Sequence, residues 1–273
     1  MRKSVIAAAV LSSVFVAGQS FAVQPTDTTP LELKESTEHV SDKSHDRAAL
    51  KAAFIQRQME NNASIGRAIK SIASHYPQQI TTIVDVALDT YPDKYKEIIY
   101  AAISTQPTAT EEIVKIAIEK GVSECPNIVE LAILAEPSYV NFVVTAAANT
   151  TPEELQDIVR VAVVTEPDSA DRIVQTLAKE HPDDMVSILT TAIGAVPFVG
   201  EYIVDGLLAL FPEQADTVVE NAVRESSQQR DQIIKIIETA ENHGVDAEQL
   251  KYSALKGGAT EEEIALATKS DDQ

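Results

Sequence analysis

The side chains with the readiest access to nucleophilic or metal chemistry in this chain are a single cysteine, Cys125, and five histidines, His39, His45, His75, His181 and His243. The histidines fall in no HExxH or paired-ligand spacing, so they predict no zinc site. There is no GxSxG turn, no phosphate-binding loop and no Gly-rich dinucleotide fingerprint. With so few Ser, His and acid constellations, the sequence predicts a chain that is not an enzyme and takes no metal or cofactor. Cys125 carries the one reactive reading. It stands where a helix begins after Gly121-Val122-Ser123-Glu124, and the positive end of a helix favours a thiolate. An unpaired cysteine in an exported protein also signals an intermolecular disulfide. The competing reading is a buried, inert thiol, because its place in the repeat described next is often apolar.

The acidic residues point to structure. Asp93, Asp168, Asp183, Asp184 and Glu213 each follow a proline closely, where a carboxylate meets the positive end of a helix. Thr151-Pro152-Glu153-Glu154 has the spacing of a capping box. The prolines themselves recur every fifteen residues, at Pro77, Pro92, Pro107, Pro137, Pro152, Pro167, Pro182, Pro197 and Pro212, with Val122 at the one position missed. With proline as position 1, position 7 is Ile or Val from Ile83 to Val218, and position 8 is Val, Ile or Leu from Val84 to Val219. Position 11 is Ala except at Leu177 and Leu207, and position 12 is mostly aliphatic.

A period of two would scatter positions 7, 8, 11 and 12 over both faces of a sheet, whereas the helical period gathers them into one stripe. Each unit therefore reads as one short helix, despite β-branched runs such as Arg160-Val161-Ala162-Val163-Val164. Proline suits the first helical position and stops the helix before it. Helices this short are marginal alone, and turns of two or three residues make neighbours antiparallel, so a pair of units forms one layer. The expected fold is all-α, an α-solenoid of short antiparallel helices built from 15-residue, proline-punctuated repeats. This architecture resembles the α-solenoid group that includes TPR and HEAT proteins. Their units run to about 34 residues or more, and the TPR pattern of Trp, Gly and Tyr is missing from a chain with no Trp. What the resemblance implies is peptide or protein binding by a repeat surface.

Arg2 and Lys3, the apolar run from Val5 to Gly18 and the small residues at Ser20 and Ala22 predict a signal peptide over 1–22, of the compact bacterial kind. That places the mature protein in the periplasm or outside the cell. The stretch 23–45, with Pro25, Pro30 and many Thr, Ser and Glu, reads as a disordered polar linker. The solenoid takes 46–243, including outer repeats marked by Ile65, Ile69 and Ile72 and by Ile233, Ile234 and Ile237. A more polar helix over 48–59 caps its amino end. Over 244–273 the period changes, and Asp246 and Thr260 predict N-caps of two polar capping helices, with Gln249 and Glu263 three residues on. The formal charge of −20 with no Lys/Arg stripe argues against nucleic acid, and no run is long enough for a membrane span.

Two features break the repeat. At Val122 the solenoid is expected to bend or change register. At Val196, Phe198 and Val199 a turn that is polar elsewhere becomes apolar, and Leu210 and Phe211 repeat this one turn later, at the opposite end of an antiparallel pair. Either this is the best buried layer, covered by the linker or a terminal helix, or it is an exposed patch that binds. The leading expectation is a non-catalytic binding or scaffold protein of the cell envelope, with a protein or polymer partner. The alternative is a secreted structural or biofilm-matrix component that self-associates through this turn or Cys125.

Overall fold

A proline at the start of a helix gives up no hydrogen bond, because the first N–H groups of a helix have no partner within it. A computed structural model describes residues 49–60 and 64–268, and there nine prolines, from Pro77 to Pro212, use this device at a 3-10 turn, with Pro126 a tenth inside the first turn of the helix that begins at Cys125. The residue before each of these nine prolines, from Tyr76 to Phe211, has φ between −155° and −126° and ψ between 58° and 89°. That is the extended side of the map to which a following proline drives it. Its N–H still closes the helix behind, as Tyr91 does onto Ala87 O at 2.8 Å. Its carbonyl accepts from the turn ahead, as Tyr91 O does from Lys94 N–H at 2.9 Å. The proline opens a single 3-10 turn and the α-helix follows it, a refinement of the expected proline at the first helical position.

The helices are α1 (49–60), α2 (Ile65–His75), α3 (Ile80–Thr90), α4 (Tyr95–Thr105) and α5 (Thr110–Glu119). They continue with α6 (Cys125–Ala135), α7 (Val140–Thr150), α8 (Leu155–Thr165), α9 (Ala170–Glu180) and α10 (Met185–Ala195). The last are α11 (Gly200–Leu210), α12 (Ala215–Glu225), α13 (Arg230–Asn242), α14 (Ala247–Gly257) and α15 (Glu261–Ala267). The expected signal peptide (1–22) and linker (23–45), with His39 and His45, lie outside the described residues. All described residues fall in one compact unit, His45–Gln273.

From α2 onward each helix packs on its chain neighbours and on the helices two removed, as α4 does on α3, α5, α2 and α6. Even-numbered helices thus form one layer and odd-numbered helices the other. The stripe predicted from the period fills the space between: Ile158, Val159, Ala162 and Val163 of α8 are all 0% exposed. Small residues set the helix spacing. A Cβ at Gly257 of α14 would come within 2.6 Å of the Glu220 carbonyl oxygen of α12. The array runs through the outer repeats to α14 and α15, which pack on α12 and α13. Both predicted caps form. Asp246 accepts from the N–H groups of Glu248 and Gln249, and Thr260 and Glu263 make a reciprocal capping box.

Two expectations are corrected. The missed proline at Val122 changes no register: Ile128, Val129, Ala132 and Ile133 of α6 are all 0% exposed, and α6 packs on α4 and α8 like any other helix. Gly121 at φ 59° takes over the turn, a conformation that suits glycine. Lys120 Nζ then ties the end of α5 to α3 through Asp85 at 2.9 Å and Asp89 at 2.6 Å. Thr151, in turn, makes no capping box. The proline after it keeps it as the carboxyl-terminal cap of the helix behind, so its Oγ1 lies 3.1 Å from Ala147 O and 3.2 Å from Cys125 Sγ.

Candidate functional site

In a three-residue 3-10 turn the residue after proline faces away from the helix layers. The eight equivalents of Phe198, from Gln78 to Glu213, are all exposed. A polar residue there is solvated by water, whereas an exposed aromatic ring gains nothing from water. Phe198 is 73% exposed, and among the described residues nothing covers it. Its neighbour Val199 turns inward at 6%, and Val196 packs half-buried against the core. One helical turn further on, Tyr202 is 59% exposed on the same side of α11.

These residues line a groove of about 720 Å³, a size typical of ligand pockets. Its walls are the amino ends of α9, α11 and α13 with the turns before α9 and α11: Pro167, Asp168 and Asp171; Val196, Phe198, Val199, Glu201 and Tyr202; Gln232 and Lys235. Lys235 Nζ pairs with Glu201 Oε2 at 2.9 Å across two helices of the odd layer. That hydrogen bond holds the lysine pKa above its ordinary value, and the same carboxylate raises that of the Tyr202 phenol. Gln232 is 7% exposed and its Oε1 has no hydrogen-bond partner; a Cβ added at Gly200 would meet it at 3.5 Å. Asp168 is exposed and Asp171 half-buried, and neither is paired.

Of the residues expected to bind, the structure brings Val196, Phe198 and Val199 together in this groove. Leu210 and Phe211 lie at the opposite edge, at the carboxyl end of α11, with Leu210 41% exposed and Phe211 packed partly into the core. Tyr202, Asp171, Gln232 and Lys235 were missed. Tyr202 had a signal, four residues after Phe198 on a helix; the others arrive from neighbouring units, about thirty residues away in the chain.

The surroundings of Cys125 favour the buried, inert reading over the reactive one. Cys125 does open α6, but it is 4% exposed. Burial pushes its thiol pKa up, against the Thr151 hydrogen bond, and the Glu154 and Glu153 carboxylates push it the same way. A disulfide to a second chain would need this thiol brought out to the surface. His75 Nδ1 lies 2.7 Å from Ser71 O, His243 Nε2 lies 2.8 Å from Asp205 Oδ1, and His181 Nε2 is buried without a partner. Among the described residues no three His, Cys, Asp or Glu side chains gather as a metal site needs, and no helix is long and apolar enough to cross a membrane. No protein-family model matches the chain, and no curated protein or solved structure is significantly similar to it.

Proposed function

We propose that this chain is an exported, non-catalytic helical-repeat protein of the bacterial envelope that binds another protein through the groove at Phe198. The observation that carries the reading is the pair of exposed aromatics, Phe198 and Tyr202, over a groove built from three helices. Exposed aromatic side chains give a binding surface large contact area with few torsions to freeze. A repeat array of this kind offers a rigid support for such a surface. Export rests on the amino-terminal pattern of Arg2, Lys3 and the apolar run to Gly18.

The test places a photo-cross-linking phenylalanine analogue at Phe198, and separately at the exposed position Asp183 on the other edge, in the cells that make the protein. A foreign protein captured reproducibly from position 198 and not from 183 supports the reading. Adducts only between copies of the chain would replace it with self-association. Sequencing the amino end of the same material tests export, with Val23 as the expected first residue.

A further inference from the structure

Two hydrogen-bond acceptors in the groove lining lack donors, and a third lies buried just beneath it, near Gly200. Asp168 and Asp171 are unpaired carboxylates, and the Gln232 amide is 7% exposed with its oxygen uncommitted. The one cation in the lining, Lys235, is engaged by Glu201, and nearby Arg172 is turned to Ser169 Oγ at 2.5 Å. The amino end of α9, which the two aspartates flank, carries about half a positive charge, so that lobe stays negative. Beside it stand the exposed rings of Phe198 and Tyr202.

Taking the protein-binding reading as its basis, we propose that the groove receives a basic segment of the partner chain. An aliphatic or aromatic side chain of that segment lies on Phe198 and Tyr202, and an adjacent Lys or Arg reaches Asp168 and Asp171. Arg suits a carboxylate pair through its forked donors, and the stem of either residue covers apolar surface. The last torsion of a glutamine side chain is broad, so Gln232 swings its oxygen to accept a backbone N–H from the segment. A segment with Glu in place of Lys or Arg is repelled by the same aspartates, which makes the groove selective.

The test uses the intact protein and three fluorescein-labelled peptides in flexible Gly/Ser flanks: one with the core Leu-Lys-Phe-Arg, one with Leu-Gln-Phe-Gln and one with Ser-Lys-Ser-Arg. Fluorescence anisotropy is expected to show the first binding at least tenfold more tightly than the other two. The double variant Asp168→Asn, Asp171→Asn is expected to bring the first peptide down to the level of the second and leave the second unchanged. Phe198→Ala is expected to weaken the first two together. Asp183→Asn with Asp184→Asn, at the other edge, is expected to change nothing. Circular dichroism confirms that each variant is folded. If the second peptide binds as well as the first and still depends on Phe198, the basic-segment inference fails while the site stands. If no peptide depends on Phe198, or the 183/184 pair matters as much as the 168/171 pair, both fail.

Discussion

At Cys125 two effects of opposite sign meet: the amino end of a helix favours a thiolate, and removal from water disfavours it. The structure decides for burial, with the thiol pKa raised and the side chain 4% exposed. The native protein is therefore expected to react with a disulfide reagent at least about a hundredfold more slowly than in denaturant, since only the exposed thiolate attacks. Oxidation of the native protein is expected to give no disulfide dimer on a non-reducing gel. Rapid stoichiometric labelling of the native protein would show the thiol to be reachable. Exposure makes the reverse case at Phe198. At 73% exposed, its truncation to Ala is expected to change stability by no more than about 0.5 kcal/mol in a denaturant titration. Binding lost through Phe198→Ala is then a loss of contact and not of fold.

At the scale of the helix and its turn, two sequences with the same spacing behave differently. Thr151-Pro152-Glu153-Glu154 and Thr260-Glu261-Glu262-Glu263 both spell a capping box, and only the second forms one. In the first, Pro152 allows the helix behind to run up to Thr151 and keep its side chain. In the second, Gly258 in the left-handed conformation has already ended α14, so Thr260 is free to turn forward. Thr260→Ala is expected to cost about 1 kcal/mol. The Glu263 carboxylate gains a pH dependence from the same box. Hydrogen bonds from the Thr260 backbone and side chain hold its pKa below the ordinary glutamate value, against the effect of burial. A lowered folded pKa stabilises fully above the unfolded value, about pH 4.3 for glutamate, and that stability is lost as pH falls through the folded pKa. Acid titration by circular dichroism is expected to show this component in the native protein and a smaller one in Thr260→Ala.

The helix stripe was legible because burial repeats with the helical period, and the turn at Phe198 stood out because its position is polar in the other units, but the sequence left open whether that turn is covered or exposed. The rest of the groove was not legible. Asp171, Gln232 and Lys235 carry no local mark of their own, and only the two-layer stacking brings their helices beside Phe198. The capping error at Thr151 is local, since Pro152 leaves that side chain to the helix behind. The unbroken register at Val122 is tertiary: neighbours two helices away hold each unit in place, so a missing local signal is overridden.

The whole repeat array is held together by contacts between helices one and two apart in the chain, so its stability is a sum of unit and nearest-neighbour terms. A cavity cut in one unit should then loosen that unit and its neighbours before it reaches the rest. Ile69 of α2 and Ile173 of α9 are both 0% exposed, and truncating either to Ala removes about 2–5 kcal/mol of local stability. Hydrogen exchange followed by mass spectrometry is expected to show Ile173→Ala deprotecting α7 to α11 while α2 and α15 keep their protection. Ile69→Ala is expected to do the converse, at α2 to α4. Uniform loss over all helices in both variants would show a single cooperative unit instead. The distinction reaches the groove, because its walls belong to α9, α11 and α13. Ile173→Ala should weaken binding of the basic apolar peptide at temperatures where Ile69→Ala leaves it unchanged, although the two cavities are cut from the same stripe of the same repeat.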